Sequence, residues 1–152
     1  MEEVKWVQFQ LHTRSRVKQE KLKKQIIPFV DSLGVDFYFN SYSGPKRQYF
    51  IKLGLINIDE KMLKTILDKA KELGATVREG DPDLRMEGDM VIDDIKKLST
   101  TVAVKMFKLA KPTDGQIYLF IHFLMNQLGY LYNNELDVYL ALAHAVRFGR
   151  RK

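Results

Sequence analysis

Twice in this chain a Leu-Gly pair closes an amphipathic run and passes straight into a strand-forming stretch, at Leu33-Gly34-Val35 and Leu73-Gly74-Ala75. Glycine at such a position supplies the left-handed turn that stops a helix. The chain is therefore expected to make the same helix-to-strand passage twice. Residues 4–12 alternate, with Val7, Phe9 and Leu11 on one side and Trp6, Gln8, Gln10 and His12 on the other, which is the period of a half-buried strand. Leu22, Ile26, Phe29, Val30 and Leu33 then share one helical face, with Pro28 expected to bend that helix. Residues 35–42 predict an aromatic strand, Ser43-Gly44-Pro45 a turn and residues 48–56 a third strand. Asp59 is a good N-cap for a second helix burying Leu63, Ile66, Leu67, Ala70 and Leu73, and residues 75–78 can form a short fourth strand. The order β-α-β-β-α-β is the ferredoxin-like split pattern, and the fold class is α+β.

The rest reads as helical. Val91, Ile95, Leu98, Val102 and Met106 recur at helical spacing over residues 90–109. Lys111-Pro112-Thr113-Asp114-Gly115 breaks that run and caps a helix over 116–128, and a last helix covers about 134–148. One domain over 1–152 is expected, with the ferredoxin-like part in 1–80 and a C-terminal helical subdomain of about three helices in 88–148.

Composition narrows the classes. Apolar residues make up 45% and charged residues 29%, the balance of a globular chain. With no cysteine there is no disulfide, thiolate metal site or cysteine nucleophile, which fits a cytoplasmic protein. The N-terminus opens with Glu2 and Glu3 and lacks an apolar signal core. The most apolar run, 117–128, is too short to span a bilayer and reads as a core helix, so no membrane is expected. The net charge is +6, concentrated in Arg14, Arg16, Lys18, Lys21, Lys23 and Lys24 and again in Arg147, Arg150, Arg151 and Lys152. Between them, from 79 to 94, Arg85 is the lone cation. Such charge suits an acidic partner, RNA or an acidic peptide; a solvated helix face and a frayed tail are the plainer account of it.

The sheet face away from the two helices is expected to carry Trp6, Gln8, Gln10, His12, Asp36, Tyr38, Asn40, Tyr42, Phe50 and Lys52. Aromatics interleaved with amides and a lysine suit stacking on bases or enclosing a polar ligand. The glycine-aromatic signatures of RNA-recognition modules are absent, and the C-terminal helices are an alternative cover for this face.

Three histidines are present. His12 reads as an exposed strand end and His144 as partly exposed beside Arg147. His122 and Asn126 share a helix face at i and i+4 among Leu, Ile, Phe and Met. His122 is either a core histidine bonded to a backbone or carboxylate group, or a general acid/base whose titration burial would tune. Glu135, across a short loop, is placed to orient its imidazole. No metal-ligand spacing, phosphate-binding glycine loop or nucleophile elbow occurs, and no cofactor is expected.

Four blocks carry a resemblance, in order: Phe37-Tyr38-Phe39-Asn40-Ser41-Tyr42-Ser43-Gly44-Pro45, Phe50-Ile51-Lys52-Leu53-Gly54-Leu55, the run from 81 to 88, and His122-Phe123-Leu124-Met125-Asn126-Gln127-Leu128-Gly129. Together they resemble the C-terminal elimination domain of lantibiotic dehydratases and the related stand-alone thiopeptide-type bacteriocin biosynthesis proteins. That domain eliminates glutamate from a glutamylated serine or threonine of a precursor peptide; related members catalyse a cycloaddition that builds a nitrogen heterocycle. The resemblance implies a lyase acting on a precursor peptide, or a diverged relative that binds one. It gives His122 an acid/base role and Arg85 the glutamyl carboxylate, a task for a guanidinium fork. Lys52, Asn40, Tyr38 and Asn126 would contact substrate. Lys52 and Gly54 stand where the family has strand arginines, Asn40 where it has another arginine, and Pro82 where it has a glutamate. The alternative is a non-enzymatic ferredoxin-like module that binds nucleic acid or a protein through its basic surfaces.

Overall fold

The computed structural model describes residues 6–44, 48–80, 90–129 and 132–149. The chain divides into two compact units, Met1–Ala110 and Lys111–Lys152. In the first, β1 (Trp6–Thr13) is followed by α1 (Arg16–Ser32), β2 (Phe37–Gly44), β3 (Gln48–Ile56), α2 (Glu60–Glu72), β4 (Thr76–Glu79) and α3 (Met90–Thr101).

Both helix-to-strand passages form as their glycines require. Ser15 caps α1 by accepting the Lys18 N–H at 3.2 Å, and Asp59 caps α2 through the Met62 N–H at 2.8 Å. Gly34 and Gly74 follow the helix ends at φ +70° and +90°, where an L side chain is strained. α1 runs through Pro28 without a break.

The four strands make one antiparallel sheet in the order β2-β3-β1-β4. Phe9, Leu11, Phe37, Ile51, Leu53 and Leu55 point to the side where α1 brings Leu22, Ile26, Ile27 and Val30 and α2 brings Ile66 and Ala70, and these residues form the buried core. Period 2 in the strands and 3.6 in the helices place these residues together. One polar group enters this layer: Gln19 is 3% exposed, and its Nε2 donates to the carbonyls of Tyr42 and Phe50 at 2.8 and 2.9 Å. It ties α1 to the paired ends of β2 and β3.

β2 is an edge strand, and edges leave unpaired backbone groups. Here α3 meets one of them, since the Phe39 N–H donates to the buried Thr100 Oγ1 at 3.3 Å. Lys96 lies over the Tyr38 ring at 4.7 Å, so α3 reaches the β2 border of the face opposite the core. The helix expected through 109 keeps α geometry only to Thr101; Val102–Met106 is a π-helical turn, and Lys108 and Leu109 take left-handed backbone angles. The wider turn and reversal bring Val104 and Leu109 against the core, while Ile95, Leu98 and Met106 remain exposed. Helical spacing alone did not identify the packed side of this segment.

The second unit pairs α4 (Asp114–Gln127) with α5 (Tyr132–Gly149). Thr113 and Gln116 form a reciprocal capping box at the start of α4, which satisfies two otherwise orphaned N–H groups. The run expected as a core helix is apolar, yet no residue of α4 is buried. Taken by itself, a two-helix unit has no third wall to cover Leu119, Phe123 and Leu128. Among the described residues no helix is long and apolar enough to cross a membrane.

Candidate functional site

The chemistry-bearing side chains of the second unit lie where α4 and α5 face each other. Tyr118, His122 and Asn126 succeed one another at intervals of four on α4, and Glu135 and Tyr139 do so on α5, so each set lines one helix side. His122 Nδ1 stands 2.9 and 3.0 Å from the two Glu135 carboxylate oxygens. The Tyr139 hydroxyl donates to Glu135 Oε1. On the other side of the ring, Asn126 Nδ2 lies 3.2 Å from His122 Nε2. Tyr118 stacks on the imidazole with centroids 5.7 Å apart and planes 15° apart.

These contacts fix the protonation pattern. Glu135 is 2% exposed, and burial alone would favour its neutral acid. The hydrogen bond from Tyr139 outweighs burial, His122 adds a smaller pull in the same direction, and the carboxyl is held below the usual range. Burial, then donation to Glu135, pushes the Tyr139 phenol up to about 12. At neutral pH the pair is therefore a carboxylate and a phenol. The carboxylate accepts a hydrogen bond from His122 Nδ1 and so fixes the orientation of the ring, with Nε2 turned to the Asn126 amide. A histidine braced this way has one nitrogen committed to the carboxylate and the other against the Asn126 amide, and its side chain is 32% exposed. Glu135 thus stands where an orienting carboxylate was expected. Tyr139 and Tyr118 were not singled out from the sequence, although their four-residue offsets from Glu135 and His122 point to them.

The remaining expected residues belong to the first unit. Asn40 and Lys52 are cross-strand partners, with Lys52 9% exposed. Tyr38 is 1% exposed and fills the space over Gly54, where even a Cβ would collide with its ring. Any larger side chain at position 54 has no room while Tyr38 lies there. His12 does not hang free at a strand end: its ring stacks on Phe50 at 4.9 Å, its Nε2 lies 2.9 Å from Gln10 Oε1, and burial and then the Arg78 charge lower its pKa. His144 is exposed on α5. Arg85 and the block 81–88 lie outside the described residues.

Comparison with family models, with curated proteins and with solved structures finds no match to this chain.

Proposed function

We propose that the protein acts on a peptide in the manner of the lantibiotic dehydratase elimination domain it resembles, or binds such a peptide as a diverged relative. The observation that carries this reading is the imidazole of His122, held at Nδ1 by the buried Glu135 carboxylate. The strand order β2-β3-β1-β4 supports reading the sheet as ferredoxin-like with helices following it.

In the elimination, Nε2 of His122 takes the Cα proton of the glutamylated residue. The freed electron pair forms the Cα–Cβ double bond, the Cβ–O bond breaks, and glutamate leaves as its carboxylate. The imidazolium returns its proton to solvent, with Glu135 stabilising its charge in the interval. Asn126 yields its contact with Nε2 to the substrate.

The test is binding and turnover of a glutamylated serine peptide by the parent protein and by His122→Gln, with thermal unfolding followed alongside. A proton-transfer role predicts a loss of roughly 10²–10⁴ in turnover, with peptide affinity kept. A parent protein that neither converts nor binds the peptide ends this reading.

A second reading rests on a different observation. His12, Phe50 and Tyr42 stack in a row across β1, β3 and β2, with centroids 4.9 and 5.2 Å apart, and Tyr42 is 40% exposed. Such a row suits a module that binds single-stranded nucleic acid. Quenching of intrinsic fluorescence by a short RNA, weakening steeply with salt, tests it; no quenching at low salt rejects it.

A further inference from the structure

Where β1 passes into α1, the first unit has a hollow of about 440 Å³ that plays no part in the peptide reading. Arg14 lines it from the turn between β1 and α1, Lys18 from the first turn of α1, Thr76 and Arg78 from β4, and His12 from β1. Among the described residues no carboxylate lines it. Elsewhere in the unit some lysines, such as Lys23, Lys64 and Lys69, stand within 4 Å of an acidic partner, and others, such as Lys21 and Lys61, are scattered singly over helix faces. Among the described residues Arg14, Lys18 and Arg78 form no such pair, although all three surround one concavity. Gathering like charges without a counter-ion is unfavourable, and a bound anion relieves it. The Arg78 charge is felt on the hollow's wall, where it adds to burial in keeping His12 neutral.

The shape next to the charge narrows the anion. The His12 ring that borders the hollow is also the first ring of the aromatic row through Phe50 to the exposed Tyr42. Positive charge therefore adjoins flat apolar rings, the pairing of features that a nucleotide presents in complement.

We propose that this hollow binds the phosphate of a nucleotide, with Arg14, Lys18 and Arg78 holding the phosphate and the neighbouring ring row meeting the base. The proposal is independent of His122 and deepens the second reading above by locating its phosphate. The phosphate comes from a free mononucleotide or from a single-stranded nucleic acid, and the probes separate the two.

Inorganic phosphate, adenosine monophosphate and a short single-stranded RNA are titrated calorimetrically into the full chain at low salt. Arg14→Ala, Arg78→Ala and Tyr42→Ala are compared with Lys64→Ala on α2 as control, and thermal unfolding verifies that each is folded. Each arginine variant is expected to weaken adenosine monophosphate by about tenfold, the worth of one charged hydrogen bond, with Lys64→Ala unchanged. Tyr42→Ala is expected to weaken the nucleotide and leave inorganic phosphate alone. RNA binding tighter than the mononucleotide, with the same arginine dependence, assigns the site to a polynucleotide. Mononucleotide binding without RNA binding keeps the hollow as a small-molecule site and removes the nucleic-acid reading. RNA binding indifferent to Arg14 and Arg78, or no binding by any probe, overturns the proposal.

Discussion

A single hydroxyl determines how the histidine of the second unit is set. Tyr139 donates to Glu135, and that bond is the largest of the effects holding the carboxylate ionised. Because Glu135 is lowered, its contribution to stability is full above the unfolded value near 4.5 and is lost as pH falls through the lower folded value. The raised Tyr139 works at the other end, its contribution being full below 10 and lost as pH rises through about 12. An ultraviolet titration should show one phenol ionising near 12, absent in Tyr139→Phe, and the variant should lose its acid-side stability at higher pH than the parent. Identical acid and alkaline transitions in both proteins would show that the bond has no such role. His122, Asn126 and the orienting Glu135 were legible in the sequence because helical offsets and a short loop restrict where they can meet. Tyr139 was not, since a tyrosine in an apolar run reads as core filling until its acceptor is located. Gly54 is a second case of residue-level control. Gly54→Ala drives a methyl into the Tyr38 ring and should cost about 1–3 kcal/mol, the range for overpacking, measured by denaturant unfolding. Unchanged stability would mean that the Tyr38 ring moves aside freely.

The helices of the first unit differ in how openly the sequence announces them. α1 and α2 have a capping side chain at the start and a left-handed glycine at the end, local signals that need no knowledge of the fold. Gly34→Ala and Gly74→Ala have open space around the new methyl, so the cost is backbone strain alone, roughly 1–2 kcal/mol each. Chemical denaturation measures it, and a neutral result at both sites would mean the turns relax. α3 is different. Its apolar residues repeat at helical spacing, but Lys96 and Thr100 make the contacts with β2. The π-helical turn after it answers the position of the core, which the local sequence does not encode. Thr100→Val keeps the shape and removes the acceptor of the Phe39 N–H, at an expected cost of about 1–3 kcal/mol for the unsatisfied donor. Faster hydrogen exchange at Phe39 checks this directly.

At the scale of the whole chain, the two units differ in how far each closes on itself. The sheet with α1 and α2 encloses a continuous buried core, whereas α4 contributes no buried residue. A fragment of residues 111–152 should therefore show weak, non-cooperative helicity by circular dichroism, as expected of helices that lack a sufficient core. A sharp thermal transition in that fragment would contradict this. Strand alternation and the paired Leu-Gly ends made the sheet legible. The division after Ala110 was not, because nothing in Lys111-Pro112-Thr113 distinguishes a turn within a unit from one between two.

The borders of the sheet have a consequence for how copies of this chain can meet. One border is bridged by Thr100; the other is β4, four residues long with Arg78 and Glu79 exposed. The first is interrupted at Phe39 by a helix side chain and the second is short and charged, two devices that keep a foreign strand from seeding a ladder. Concentrated solutions should stay silent to dyes that report amyloid, and any clustering at high concentration should keep a helical spectrum, proceeding through helix surfaces and stopping short of fibrils.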